Sequence, residues 1–518
     1  MKKKIAMALI LTLILTAFGG CGSNNNAEKS TTQNQEGTQN QANTQESAGT
    51  EIAYTGEPVT VVLSFLAFSM PSAEGEAAVE AAINEITREK IGVEVDLLPL
   101  DGGSYTQQIP LMLAGGEQVD AFSMLGMSYS TMVNSGYTLD LEENNLIQTY
   151  GQGIIEEVGA YLDGCRIGGT LYGLPQNRDL ASPNGYMIAN EYLDTIGYEY
   201  DAENVNRITE EELEDIFARL HEAYPDKTVL VEQQLARVSV FNDYAGGDWY
   251  GVLMDPANSL ELTDLYSSQE YMDYCLQHYG WNRSGYISAD ALTNQDSAIS
   301  LVGAGRAMAY ACGIKPGIIS QESQNTGRAL SAFQTEEEYV MASGGFTTMC
   351  WSINSNTDNA DAVMRLLNEF YINPALTDLL SYGIEGTDYV VSEEGFYTYP
   401  EGTDGNVGYH PNVVVFMFNE FIAGVWEGND IDVWKQTKEM NEKATMSLAM
   451  GFTFDGSSVS AEYTALNNVY EEYRNQIEYG FLDPETGIPE MVSRMKAAGL
   501  DEYIAEKQKQ LDEWAAAQ

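Results

Sequence analysis

Hydrophobic residues enter this chain twice: as one unbroken run near the N-terminus, and from residue 59 onward as periodic segments separated by turns. Val59 to Leu66 is a β-branched, apolar run of the kind that forms a strand buried on both faces. Pro71 to Gly75 supplies turn chemistry, and from Glu74 to Lys90 the residues Val79, Ile83 and Ile86 fall on one helical face. Val93, Val95 and Leu97 then alternate with other positions, which predicts a second strand ending at Pro99. Strand, helix and strand in this order make a βαβ unit and a parallel sheet. A helix around Ser104 to Ala114 leads to a third strand at Gln118 to Met124. Further along, Gly185 to Asn190 reads as a strand and Glu191 to Ile196 as a helix. Asn359 to Phe370 is an amphipathic helix with Thr357 or Asp358 as its N-cap. Leu500, Ile504, Leu511 and Trp514 lie on one stripe of a final helix, a packing stripe with charges elsewhere.

The early unbroken run has a different character. Lys2, Lys3 and Lys4 precede Ile5 to Phe18, and then come Gly19, Gly20 and Cys21. The run falls short of the roughly 20 apolar residues a membrane-spanning helix needs, so it reads as a secretory signal over residues 1–20. A cysteine after two glycines resembles the lipobox of bacterial lipoproteins, although Phe18 stands where leucine is usual. That resemblance implies lipidation of Cys21 as the first mature residue; a plain cleavable signal with a chance cysteine is the alternative. Residues 21–57 are almost all Asn, Gln, Ser, Thr, Gly and Glu, a composition that cannot offset the entropy of ordering and so predicts a polar tether. The expected location is the outer face of the cell membrane, held there by the acyl chain on Cys21.

Charge narrows the partners. The net charge of −52 becomes −55 once the three N-terminal lysines are set aside. Phosphate backbones and anionic lipid surfaces need the opposite sign, so nucleic acid is excluded and a basic membrane-binding face is not expected. Such a surface also favours a soluble monomer. About 460 residues follow the tether, too many for one hydrophobic core and suited to two lobes. Cys165, Cys275, Cys312 and Cys350 are far apart with no CxxC pair, which indicates neither a zinc site nor a redox motif. They read first as buried thiols, with one or two disulfides left open.

Catalytic motifs are missing. The three histidines, His221, His278 and His410, have no ligand spacing, and no GxSxG, P-loop or GxGxxG occurs. Asn354, Asn356 and Asp358 mimic a calcium loop, but Asn359 and Arg365 occupy the positions that need Gly and Glu. Asp243 and Asp248, beside Trp249 and Tyr250, are the best candidates for a glycosidase-type carboxylate pair, against the simpler reading of an acidic loop on an acidic protein. No metal or other cofactor is implied.

Several stretches carry a family resemblance. Gln118-Val119-Asp120-Ala121-Phe122, Gly169-Thr170-Leu171-Tyr172-Gly173-Leu174-Pro175 and Gly305-Arg306-Ala307-Met308-Ala309 resemble elements of the family 1 extracellular solute-binding proteins. Tyr382 to Tyr389, Gly451 to Asp455, Asn467 to Val469 and the helix through Trp514 resemble a subgroup of large lipoproteins with an extended C-terminal region, associated with uptake of complex sugars. The resemblance implies an α/β, two-lobed periplasmic-binding-protein-like fold of the class II type, with hinge crossovers and a largely helical C-terminal extension. It divides the folded chain into 58–182 (lobe 1), 183–294 (lobe 2), 295–348 (the return to lobe 1) and 349–518 (the rest of lobe 2 and the extension).

The implied function is capture of a carbohydrate, an oligosaccharide, for an ABC permease by hinge closure, without catalysis. A secreted carbohydrate-active enzyme, a peptide-binding protein and a sensory binding protein of the same fold are the alternatives. A sugar site needs flat aromatic faces with polar side chains for hydroxyls. The candidates are Ser69 and Met70 at the end of the first strand, and Asn177 and Arg178 after the first crossover turn. Asp243, Asp248, Trp249 and Tyr250 share a glycine-broken loop. Trp351 lies beside the return crossover, and Tyr382 and Glu385 belong to the subgroup motif. Trp281, Trp426, Trp434 and Trp514 are assigned mainly to packing.

Overall fold

The computed structural model describes residues 56–518 except 232–241, 247–248, 295, 343, 404 and 412–416. The signal, Cys21 and nearly all of the tether lie outside the described residues, as does Asp248. Nine strands build two main sheets: β1 (Val59–Ala67), β2 (Val93–Asp101), β3 (Ala121–Ser123), β4 (Asn184–Ala189), β5 (Asn206–Arg207), β6 (Thr228–Leu230), β7 (Ala307–Gly313), β8 (Leu330–Gln334) and β9 (Trp351–Ile353).

The first sheet has the order β9-β3-β1-β2. β1 runs parallel to β2 and β3, with Val59 opposite Val93 and Leu63 opposite Ala121. Its unbroken apolar run is buried because it is a central strand, whereas β2 alternates because it is an edge. The edge position also explains why β2 continues through Pro99 to Asp101 instead of stopping there, since an edge strand tolerates a missing N–H. The intervening helix Ala73–Ile91 starts at Ser72, whose hydroxyl accepts from the Gly75 amide, and ends at Gly92 with φ of 67°. Asp120, in the Asp-Ala-Phe element, is buried and structural. Its carboxylate accepts from the Val62 amide at 2.8 Å and from the Thr357 hydroxyl at 2.6 Å. That second bond draws Thr357 away from capping, and the following helix runs Ala360–Ile372 with Asn359 at its N-cap.

The second sheet has the order β5-β8-β4-β7-β6, with β4 antiparallel to both β7 and β8. β7 takes up Ala307–Ala309 of the Gly305–Ala309 element, which was expected where the chain returns to the first lobe. It belongs to the second lobe instead, with β4 and β6 on its two sides. The return follows β8: Met341 and Phe346 already pack in the core of the first lobe, and β9 then pairs antiparallel with β3. Residues 307–334 therefore complete lobe 2. A buried apolar strand carries no local mark of the sheet it joins.

A third core stands apart from the two sheets. Tyr250, Val252, Leu253 and Tyr266 pack with Leu466, Tyr470, Met491, Leu500 and Leu511 of the last three helices, Ser460–Glu478, Pro484–Ala497 and Leu500–Ala515. The final helix buries Leu500, Tyr503, Lys507 and Leu511, a stripe rotated from the expected one, with Ile504 and Trp514 only partly covered. The four later cysteines are free thiols, and Cys165 and Cys350 are buried side by side in the first lobe.

Candidate functional site

A cavity of about 780 Å³ is lined from both lobes. The first lobe supplies Phe68, Ser69 and Met70, which follow β1, and Tyr382 at the end of the helix Pro374–Tyr382. The second supplies Lys315 beyond β7, and Gln321, Gln324 and Asn325 on the helix Ile318–Thr326. Arg178 and Asp179, on the first crossover, lie between them.

One wall is aromatic. Trp426 is its centre, with the rings of Tyr399, His410 and Tyr382 at 4.8, 5.1 and 5.5 Å. The polar ends of these rings are tied back: Tyr382 donates to the Gly424 carbonyl at 3.0 Å, and Trp434 donates to the Ala423 carbonyl at 2.8 Å. Tyr399 and His410 share a hydrogen bond of 2.8 Å. Burial holds the His410 imidazole below its ordinary range, against a smaller opposing pull from Asp388, so the wall carries no cation at neutral pH. Asp378 braces the wall from behind, accepting from the Gly424 amide at 2.8 Å and the Tyr397 hydroxyl at 2.7 Å. Burial raises the pKa of that carboxyl.

At the crossover, charges pair with one another. Asp179 meets Arg178 at 2.8 Å and Lys315 at 2.9 Å. Burial works against its charge, and Lys315 and Arg178 together still hold it below the usual carboxylate range. Beneath them Glu420 accepts from the Asp179 amide at 2.9 Å, while its other oxygen is buried without a hydrogen-bond partner. Burial, reinforced by Asp179, pushes the Glu420 carboxyl up to about 8, so it is mainly neutral at pH 7. Asp179 is the single carboxylate among the described lining residues, and it is paired. Stacking faces and amides line one cavity and suit a hydroxyl-rich ligand, while Arg178 and Lys315 against Asp179 leave one positive charge at the crossover.

Of the sequence candidates, Ser69, Met70, Arg178 and Tyr382 come together on this cavity. Asn177 does not line it. It is buried behind the crossover, pairing its backbone with Phe418 and Glu420. Trp351 is fully buried in β9, stacked on Phe418 at 4.2 Å, and its ring has no face open to a ligand. Glu385 is exposed on a turn shaped by Asp388, which accepts from the Ile384 and Tyr409 amides. Asp243, Trp249 and Tyr250 do not line the cavity: Tyr250 belongs to the third core, Asp243 is buried, and Trp249 is 40% exposed. Trp426 and Trp434, assigned to packing, are on the cavity wall. The segment around Trp426, Gly424-Val425-Trp426-Glu427-Gly428, is broken by glycines in the manner that singled out Trp249, whereas Trp434 lies at the start of the helix Val433–Lys443 and carries no such mark.

This architecture is that of the two-lobed extracellular solute-binding proteins. Residues 448–516 match the pattern of a domain of unknown function, DUF3502. The chain is similar to a carbohydrate ABC transporter substrate-binding protein of Streptococcus pneumoniae serotype 4, at 24% identity over 84% of this chain and 87% of that one. Among solved structures it is similar to the N-glycan transport solute-binding protein of Streptococcus pneumoniae, at 21% identity and a TM-score of 0.76, covering 88% of this chain and 99% of that one. The complexes of that protein with Man1GlcNAc and Man5GlcNAc match at 0.68 and 0.65.

Proposed function

We propose that this protein is an exported, lipid-anchored solute-binding protein that captures an oligosaccharide in the cavity between its lobes and delivers it to an ABC importer. The aromatic wall around Trp426, which lines the same cavity as the amides of Gln321, Gln324 and Asn325, carries this reading. Sugar rings offer apolar C–H faces to such a wall and hydroxyls to such amides. Because the lining comes from both lobes, a ligand that touches both favours the closed arrangement, and hinge closure follows from that differential contact. That relative makes mannose-containing N-glycans the first ligands to try. Cys21 supplies the membrane link, and Trp249 is a second stacking position outside the main cavity.

The test is thermal unfolding of the chain from Pro58 onward against N-glycans, other oligosaccharides, monosaccharides and short peptides. Ligand at about 100 times its dissociation constant adds roughly 2.7 kcal/mol of stability. A selective shift with one glycan class, and an intact glycan after incubation, is the expected result. Shifts with peptides alone overturn the sugar, and cleavage of the glycan overturns the binding role.

A further inference from the structure

The matched domain of unknown function contributes no described residue to the cavity. Its helices enclose a loop instead. Lys507 is fully buried in the middle of the final helix, at a position where the packing stripe calls for an apolar side chain. Its ammonium donates to the carbonyl oxygens of Tyr244 at 2.8 Å, Gly251 at 3.0 Å and Tyr250 at 3.3 Å. Burying an ammonium is costly unless it is hydrogen-bonded, and these carbonyls belong to two arms of one loop, 244–246 and 249–251.

The same arms are held from other sides by the same domain. The Tyr250 hydroxyl donates to Asn467 at 2.7 Å, and its ring packs edge-on to Tyr470 and Tyr503. Phe454 comes so close to Gly246 that a Cβ there would lie 2.8 Å from the Phe454 Cβ. Ala245 has φ of +39°, a conformation a non-glycine residue keeps only where its surroundings over-determine it. Through all this Trp249 stays exposed, edge-on to Tyr244 at 4.8 Å and nearly parallel to Tyr470.

We propose that the C-terminal domain is a clamp that fixes the two arms, 244–246 and 249–251, with Lys507 as its positioning residue, so that a sugar ring stacking on Trp249 depends on a side chain that never touches the sugar. The part played by the sugar rests on the proposed function; the clamp rests on the hydrogen bonds alone.

The experiment compares the full chain with Lys507→Met, Trp249→Ala and the double variant. It reads amide hydrogen exchange over 244–251 and calorimetric affinity for Man5GlcNAc. Lys507→Met is expected to lose exchange protection in the loop. Both single variants are expected to weaken binding about fivefold or more, and the double variant to lose no more than about twofold beyond Trp249→Ala, because the two act through one ring. Should Lys507→Met fail to fold, Tyr250→Phe, which keeps the ring and removes the bond to Asn467, takes its place with the same expected signs. Unchanged loop protection overturns the clamp. Losses that multiply in the double variant overturn the route through Trp249. If the wild-type chain binds no Man5GlcNAc, that glycan assignment fails, the recognition role at Trp249 falls with it, and hydrogen exchange alone decides the clamp.

Discussion

At the residue scale, the clearest claims concern Trp426 and Glu420. Trp426 touches three other rings of the wall and still lines the cavity. Trp426→Ala is therefore expected to weaken glycan binding by more than about 1 kcal/mol in a calorimetric titration. An unchanged affinity would move the stacking face elsewhere. Glu420 makes a prediction about pH. Its folded pKa, about 8, is raised above the ordinary value of 4.5, so the folded state binds the extra proton between these limits. The stability this gives is full below pH 4.5 and is lost as pH rises through about 8. Glu420→Gln keeps an acceptor for the Asp179 amide and removes the titration. Relative to wild type, the variant should gain stability steadily from pH 5 to pH 8.5 in urea unfolding, and a constant difference across that range would refute the assignment.

At the element scale, the helix Ala73–Ile91 shows how local rules and tertiary contacts share control. Its apolar face of Val79, Ile83 and Ile86 follows from spacing, while the cap at Ser72 and the end at Gly92 are seen in the structure. What spacing does not show is that Gly75 lies against Gly408, on the cavity lining, where an added Cβ would sit 2.3 Å from a carbonyl oxygen. Alanine would favour the helix by about 1 kcal/mol through propensity, yet the clash is with backbone that cannot rotate away. Gly75→Ala should therefore destabilise the chain by about 1–3 kcal/mol in chemical unfolding, with the loss falling on this junction. Stabilisation would mean that the 408 segment yields freely. The helix Ala360–Ile372 teaches the same lesson at its start, where the Thr357 hydroxyl donates to Asp120, just before β3, and Asn359 is the N-cap.

At the scale of the whole molecule, ligand capture should be a change of shape. Lys315, from the second lobe, is bound to Asp179 on the crossover. Small-angle scattering should show a smaller radius of gyration when a binding glycan is added, since a ligand touching both lobes draws them together. An unchanged radius at saturating ligand would remove hinge closure from the mechanism while leaving the cavity as the binding site.

The sequence by itself determined the elements and the class of fold. Period-two and period-3.6 patterns are local, and β1, β2 and their connecting helix follow from spacing alone. The family-like stretches gave the two-lobed plan, and the ends of β1 and the first crossover brought Ser69, Met70 and Arg178 to the cavity. Only the tertiary structure decided which sheet β7 joins, because a strand buried on both faces reads the same in either lobe. It alone buried Trp351 and decided that, of the two tryptophans in glycine-broken segments, Trp426 and not Trp249 lines the cavity, since exposure to a cavity is set by neighbours distant in sequence. It alone explains Lys507, a charge in a hydrophobic stripe. The described partners of its ammonium include backbone carbonyls more than 250 residues earlier, and carbonyls carry no signature in a sequence.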